Sequence, residues 1–241
     1  MFVVENGMIF AFNLKIKKVI SYTLVFLLLF LANAYMSHSI NPVASYTPFP
    51  SFCVVLDAGH GGIDSGCIGP TTKATERDIN LSITQKVGKM LTSLDINVVY
   101  TRTNADGLYG TFASGFKKRD LQARCDIIKK VKPNLVVSIH LNSFTDNSAS
   151  GAQVFYKIGS DISKELAQSL QDTFVEDIPG SRKSSMPGDF FMLNCTSTPG
   201  ILVECGFLSN PEEEKKLITP EYQEKIAYTI TCGILNFFGL E

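Results

Sequence analysis

NLVVSIHLNS, residues 134–143, contains the pattern that decides the fold of this chain. Its apolar run is typical of a buried strand, and His140 follows that run where the predicted strand ends. The chain has only three histidines. A single imidazole at the end of a strand is most often packed or hydrogen-bonded. A functional interpretation of His140 therefore requires other residues to meet it there.

Runs of the same kind recur along the chain and alternate with apolar side chains at helical spacing. Several of the runs are apolar on both faces. Strands of this kind, alternating with helices, predict one α/β domain whose mostly parallel sheet is covered by helices on each side. The predicted strands cover residues 52–57, 96–101, 134–140, 152–156, 190–193 and 200–204, and the helical periods cover 79–94, 121–128, 162–174 and 222–237.

The first 51 residues differ in character from the rest. Three lysines precede an almost uninterrupted apolar run at 19–32, which ends in Ala32-Asn33-Ala34. These are the parts of a secretory signal peptide, and a slightly longer run would approach the roughly 20 residues of a membrane span. We therefore predict an exported protein with a signal peptide or signal anchor at 1–36, a linker at 37–51 and one folded domain at 52–241. Contact with a membrane is expected only through the first of these segments.

Composition narrows the class of protein. The formal net charge of the 241 residues is −1, whereas a protein that binds nucleic acid needs a basic stripe or clustered Arg and Lys. Nucleic acid is therefore excluded as an expected partner. The six cysteines show no C-x-x-C pair and no metal-knuckle spacing. We interpret them as core residues and predict no disulfide pairing.

Three strand ends bring chemistry-bearing residues to one rim of the predicted sheet. Ligands of α/β sheets gather at the carboxyl ends of the strands. The first strand ends in DAGHGG at 57–62, the third at His140 and the last at Glu204. Glycines on both sides of His60 allow backbone to approach a bound group while the imidazole stays unobstructed, although the same pattern also occurs in a simple tight turn.

Another carboxylate, Glu76, lies just before a predicted helix, where an acid ordinarily favours the helix dipole. Two histidines and one carboxylate are also the ligands of an open zinc site whose fourth position holds water. On that basis His60, Glu76 and His140 are candidate ligands. Their spacing in the sequence does not show that they meet.

Glu204 is the candidate for proton transfer. Hydrolysis of an amide by zinc-bound water needs a group that takes a proton from the water and passes it to the leaving nitrogen. Glu204 ends an apolar strand, an unfavourable place for a charge unless a metal or partner is near. Its neighbour Cys205 points to the opposite face of a continuing strand, which argues against a cysteine nucleophile beside the histidines.

Six segments, in this order, closely resemble the zinc-dependent N-acetylmuramoyl-L-alanine amidases of bacterial cell walls. The resemblance covers about residues 52–238. A lone DAGHGG is weak evidence, whereas the ordered set is specific. The segments are LDAGHGGIDSGCIG (56–69), ATERDINL (74–81), TRTNAD (101–106), LVVSIHLNS (135–143), SGAQVFY (150–156) and PGILVECGFLSNPEE (199–213).

The resemblance implies a mixed, mostly parallel sheet flanked by helices. It implies hydrolysis of the amide between N-acetylmuramic acid and the first L-alanine of the peptidoglycan stem peptide. One zinc ion is then held by His60, Glu76 and His140, and Glu204 is the catalytic glutamate.

Two further residues are candidate substrate contacts. Asn142 lies two positions after a predicted ligand. Arg182 lies in the loop-like segment between residues 174 and 190 and is suited to a substrate carboxylate, with an ordinary exposed arginine as the alternative.

The sequence shows no repeat module for holding the cell wall. In this it is similar to sporulation amidases, which prepare spore-cortex peptidoglycan for muramic-δ-lactam formation and germination. The expected location is the cell wall or the forespore intermembrane space. The alternatives are a vegetative autolysin and an inactive wall-binding or regulatory protein with the same fold. An open site with three ligands also permits an activating protein partner for zinc retention or substrate capture.

Overall fold

The computed structural model describes residues 52–240, together with Thr23, Leu24 and Leu27. The predicted linker, and the predicted signal segment apart from those three positions, lie outside the described residues. Within the described part of the chain, no helix is both long and apolar enough to cross a membrane.

Six strands form one sheet within residues 52–240. They are β1 (Cys53–Ala58), β2 (Asn97–Tyr100), β3 (Leu135–Asn142), β4 (Gln153–Lys157), β5 (Met186–Gly188) and β6 (Gly200–Phe207). Their order across the sheet is β2-β1-β3-β6-β4-β5, and every neighbouring pair is parallel except β4 with β6. This confirms the prediction of a single α/β domain with a mixed, mostly parallel sheet.

Helices cover both faces of the sheet because successive side chains of a strand point to opposite faces. In β1, Val54 and Leu56 join the larger apolar core with one set of helices, and Val55 joins a smaller core on the other face. All three are fully buried, and burial of each apolar side chain stabilises the folded protein by about 1.5–3 kcal/mol. The helices are α1 (Glu76–Ser93), α2 (Phe116–Val131), α3 (Asp161–Asp177), α4 (Phe191–Asn194), α5 (Pro211–Leu217) and α6 (Pro220–Phe238). Helices α1, α3 and α6 lie on the first face, and α2 and α4 on the second.

The predicted strand at 190–193 is wrong. This segment is the single helical turn α4, in which the N–H of Asn194 donates to the carbonyl of Phe190 at 3.1 Å. Its buried Met192 packs against the smaller core. The sixth strand is instead β5, a short edge strand that contains Pro187, a residue tolerated at a sheet edge. Four apolar residues are too few for periodicity to separate a strand from a helical turn.

Two ends of the predicted apolar stripes are also exposed. Leu94 follows α1 as its C-cap, and Ile162 lies in the first turn of α3. Their side chains are 45% and 46% exposed. A helix end extends past the core that its middle turns cover, so periodicity alone overstates the buried stripe there.

Candidate metal centre and active site

The three predicted ligands meet at the carboxyl end of the sheet. His60 follows β1, His140 lies near the end of β3, and Glu76 is the first residue of α1. One ligand atom from each lies within 4.8 Å of the others. His60 Nε2 is 3.1 Å from Glu76 Oε1, and His140 Nδ1 is 3.0 Å from the same oxygen. Residues separated by up to 80 positions in the sequence are thus neighbours in space.

These distances fit a metal ion. Zinc bound tetrahedrally at about 2.1 Å from each ligand separates the ligand atoms by about 3.4 Å. The two observed nitrogen–oxygen separations are slightly shorter, so small side-chain movements are enough to place an ion between them. Two imidazoles and one carboxylate also match the donor set of an open zinc site.

Glu76 is buried, and its carboxylate is directed into the site rather than toward solvent. Its Oε1 accepts hydrogen bonds from the N–H of Leu141 at 3.1 Å and from Asn80 Nδ2 at 3.2 Å, and its Oε2 accepts from the N–H of Cys67 at 3.0 Å. Burial favours the neutral acid, but hydrogen bonds with the two histidines hold the pKa of Glu76 well below its usual range. The carboxylate is therefore ionised, as a metal ligand must be.

The backbone around His60 is held by two buried arginines. His60 has a φ of 63°, a left-handed conformation that is unusual for a residue other than glycine. Arg124 donates to the carbonyls of Ala58 and His60, and Arg102 donates to the carbonyls of Ala58 at 2.8 Å and Gly59 at 2.9 Å. The surrounding hydrogen bonds thereby stabilise the strained residue.

Two aspartates balance the charge of Arg124. Asp57 Oδ1 accepts from Arg124 Nη1 at 2.8 Å, and Asp120 Oδ2 accepts from Arg124 Nε at 2.6 Å. Asp57 also accepts hydrogen bonds from Ser138 and Thr101, both at 2.6 Å. The positive charge beneath the His60 loop is thus fully paired inside the protein, which a buried guanidinium requires.

Asp64 orients the imidazole of His60. Its Oδ2 lies 3.0 Å from His60 Nδ1, and its Oδ1 lies 3.0 Å from Lys117 Nζ. With Nδ1 engaged in this way, Nε2 is the nitrogen that faces Glu76. A carboxylate behind a ligating histidine is a common arrangement in metal sites.

Two glycines leave the space that the ligands occupy. A Cβ added at Gly59 would lie 2.1 Å from His140 Cε1. At Gly66, where φ is +65°, a Cβ would lie 2.4 Å from Glu76 Oε2. Both overlaps are too close for any side chain, so the site requires glycine at both positions, and the left-handed backbone of Gly66 favours glycine there as well.

Glu204 lies beside this cluster. It is the direct partner of His140 in the β3–β6 ladder, and its Oε2 is buried without a hydrogen-bond partner. Burial raises the pKa of Glu204 to about 7, against the opposing effect of His140. A carboxyl group with a pKa near neutrality can both accept and donate a proton at physiological pH.

The cysteines show no sign of a nucleophile at the site. Cys205 is fully buried, and burial raises the pKa of its thiol well above the ordinary value, so little thiolate is present. All six cysteines lie among the described residues, and none is in a disulfide.

Asn142 and Arg182 lie outside the ligand cluster. Both line a groove of about 490 Å³ that is also lined by Phe207. The guanidinium carbon of Arg182 lies 5.8 Å from the centre of the Phe207 ring. A separate cavity of about 230 Å³ is lined in part by His60 and His140.

Sequence reasoning missed the supporting residues of the site. Asp57, Asp64 and Arg102 fall inside segments that the family resemblance quotes, so the signal for them was present in the sequence. Nothing in the local pattern of α2 distinguishes the buried Arg124 from solvent-exposed helix residues, or marks Lys117 as the partner of Asp64.

Comparison with known proteins adds family evidence. Residues 54–236 match the model of the family described as N-acetylmuramoyl-L-alanine amidase. A similar curated protein, the germination-specific N-acetylmuramoyl-L-alanine amidase of Bacillus subtilis (strain 168), is 34% identical over 202 residues, covering 79% of this chain and 81% of the relative.

Solved structures agree with this result. The CwlD amidase from Clostridioides difficile, in complex with the GerS lipoprotein, has 35% sequence identity and a TM-score of 0.74, covering 79% of this chain and 100% of that one. The catalytic domain of CwlV, an amidase from Bacillus (Paenibacillus) polymyxa var. colistinus, has 30% identity and a TM-score of 0.68, covering 79% and 99% of the two chains. The family model and both structural matches cover the domain that carries the His60, Glu76 and His140 cluster, and the chain belongs to the N-acetylmuramoyl-L-alanine amidase family.

Proposed function

We propose that this amidase is zinc-dependent and that His60, Glu76 and His140 hold one zinc ion. The observation that carries the proposal is the meeting of these three ligand atoms beside Glu204, whose carboxyl oxygen Oε2 is buried and has no hydrogen-bond partner. A buried carboxyl oxygen without a partner is unfavourable for folding and is typical of catalytic sites.

Glu204 is the proton-transfer group of the proposed reaction. When bound, zinc would polarise the carbonyl and acidify a water molecule for attack on the amide. Glu204 would take a proton from the attacking water and give it to the nitrogen that leaves with L-alanine. Asn142 and Arg182 contact the substrate in the adjoining groove.

The biological setting is proposed from the relatives. The curated protein from Bacillus subtilis is named as germination-specific, so we assign this chain to the maturation of spore cortex, including muramic-δ-lactam formation. Residues 1–36 then direct export as a signal peptide or anchor, 37–51 form a linker, and 52–241 form the catalytic domain. The enzyme acts outside the cytoplasmic membrane, where peptidoglycan lies.

A protein partner belongs to the same proposal. The similar CwlD amidase was solved as a complex with the GerS lipoprotein. By analogy, an extracytoplasmic partner of this chain would aid zinc retention or substrate capture. Zinc affinity of residues 52–241, measured alone and with an extract of the source cells, tests this point, because tight zinc and full activity alone would remove the need for a partner.

The decisive experiment digests purified peptidoglycan with the purified protein and identifies the products by mass spectrometry, with metal content measured on the same sample. We expect stem peptides released with a free L-alanine amino group, and about one zinc per chain. Release of peptides by a metal-free sample would contradict the proposal. Unchanged cortex muramic-δ-lactam after deletion of the gene would contradict the sporulation role.

A further inference from the structure

Four strand ends set the order of groups along the rim of the sheet. His60 follows β1, His140 lies in the neighbouring β3, and Glu204 lies in β6, next to β3. Gln153, in β4, is the ladder partner of Glu204 on the far side. Glu204 therefore lies to one side of the two histidines, between them and the strands β4 and β5.

The two cavities are lined by residues from different parts of the strand order β2-β1-β3-β6-β4-β5. The cavity of about 230 Å³ is lined by α2 residues, including Phe116 and Lys117, on the β1 side. The groove of about 490 Å³ is lined by Gln153, Phe207 and Arg182, on the β6 and β4 side. A substrate that is cleaved at the ligand cluster has one arm on each side.

The chemistry of amide hydrolysis indicates which part of the substrate lies toward Glu204. The oxygen of water bonds to the carbonyl carbon, the C–N bond breaks, and the nitrogen leaves with an added proton. The group that delivers this proton must lie within hydrogen-bond reach of the nitrogen. If Glu204 is that group, the nitrogen side of the bond lies toward Glu204, and the peptide attached to it extends into the groove beyond.

The charge of the groove agrees with this direction. The lactyl carboxyl of muramic acid is consumed in the amide, so the sugar arm carries no free carboxylate there, whereas the stem peptide does. Among the described residues no carboxylate forms an ion pair with Arg182, whose guanidinium stacks on Phe207. A stacked guanidinium keeps its N–H edge available for a carboxylate.

The groove is otherwise suited to a peptide. The backbone of Arg182 is anchored by its N–H, which donates to the carbonyl of Ala152 at 3.0 Å. Phe144, 59% exposed, contributes apolar surface to the same groove. The other charged residue that lines it is Asp146, which stays negatively charged while its Oδ1 accepts from the N–H of Ser148 at 2.8 Å, so Arg182 is the cation among the residues that line the groove.

We infer that the groove between Asn142 and Arg182 is the stem-peptide subsite, and that Arg182 selects peptides with a free carboxylate on the residue after L-alanine. The muramoyl sugar then occupies the cavity on the α2 side. This inference rests on the proposed function, since it uses Glu204 as the proton donor.

The test uses two soluble N-acetylmuramoyl peptides that differ only in whether that carboxyl group is free or amidated. The zinc-loaded wild-type enzyme should show a KM about five- to tenfold lower for the free acid. Arg182→Gln should raise the KM for the free acid to that of the amide, with kcat changed by less than about twofold. Lys183→Gln, a neighbouring exposed charge outside the groove, is the matched control and should keep the preference.

Product inhibition tests the direction of binding independently. The released peptide should inhibit competitively, and Arg182→Gln should weaken that inhibition several-fold while inhibition by N-acetylmuramic acid stays the same. A preference retained in Arg182→Gln, or weakened inhibition by the sugar instead, would overturn the subsite and leave the amidase function standing. Failure of the wild type to cleave either substrate would overturn the proposed function and the subsite together.

Discussion

His140 and Glu204 are direct partners in the ladder between the parallel strands β3 and β6. The side chain of His140 contacts the carboxylate of Glu76, and the Oε2 of Glu204 is buried without a hydrogen-bond partner. Side chains that are paired across neighbouring strands lie side by side. The proposed metal ligand and the proposed proton carrier are therefore fixed relative to each other by backbone hydrogen bonds of the sheet, before any substrate binds.

Substituting Glu204→Gln should nearly abolish hydrolysis. The amide has a similar shape but cannot exchange a proton, so we expect kcat to fall by about 10²–10⁴-fold. Zinc content should remain about one per chain, because Glu204 is not among the proposed ligands. Muropeptide release and metal content, measured on one preparation, check the loss of hydrolysis and the retained zinc. Full activity of the variant would refute the role of Glu204.

Substituting His140→Ala should act on the metal itself. Loss of one of three ligands leaves an incomplete donor set, so we expect zinc affinity to fall by at least about tenfold. Competition with a chromogenic chelator measures this directly, and Glu204→Gln is the matched control that keeps the ligands. Equal zinc affinity in the two variants would show that His140 is not a ligand.

Substituting Asp64→Asn should weaken zinc binding without removing a ligand. The carboxylate behind His60 Nδ1 orients the ring and increases its basicity. We expect an affinity loss of about 10- to 100-fold. Lys117→Met, which removes the exposed partner of Asp64 and leaves the carboxylate in place, should have a much smaller effect. The idea fails if both variants bind zinc as the wild type does.

Substituting Arg124→Gln should destabilise the fold. The change leaves the buried Asp57 and the carbonyls beneath His60 without their donor. Removing one partner of a buried ion pair costs about 3–5 kcal/mol in the free energy of unfolding. Urea unfolding measures the loss. Lys130→Gln, an exposed position on the same helix, should change stability by less than about 0.5 kcal/mol, and a similarly small change in Arg124→Gln would contradict the structure.

The buried Asp57 should also make the free energy of unfolding depend on pH in the acidic range. Burial alone would raise its pKa, but the charge of Arg124 and hydrogen bonds from Ser138 and Thr101 lower the pKa of Asp57 to about 2. A pKa that is lower in the folded than in the unfolded protein gives stability that is fully present above the unfolded value of about 3.9 and lost as pH falls through the folded value.

The full size of this contribution is about 2–3 kcal/mol, from nearly two pKa units at about 1.4 kcal/mol each. Unfolding free energies measured between about pH 5 and pH 2 should therefore decline by most of this amount through Asp57, in addition to contributions from other carboxyl groups. NMR titration of the Asp57 carboxyl isolates its part. A titration midpoint near the unfolded value would contradict the predicted ion pair.

The pattern of apolar residues was sufficient to predict a strand where that strand is long and buried on both faces. LVVSIH and GILVE could be predicted as strands of a mostly parallel sheet, because most side chains in them face an apolar layer. The run at 190–193 was too short for the same argument, and its identity as a helical turn depends on contacts of Met192 with the second face of the sheet.

The amino-acid sequence by itself determined the α/β class, the candidate ligands His60, Glu76 and His140, the candidate proton carrier Glu204 and the family, because these depend on local periodicity and on ordered motifs. Only the tertiary structure decided that the ligand atoms converge, that Arg124 and Asp64 support His60, and that Arg182 shares a groove with Asn142. These relationships join residues from different strands, helices and loops, and their distances are set by strand order and helix packing, which no local pattern contains.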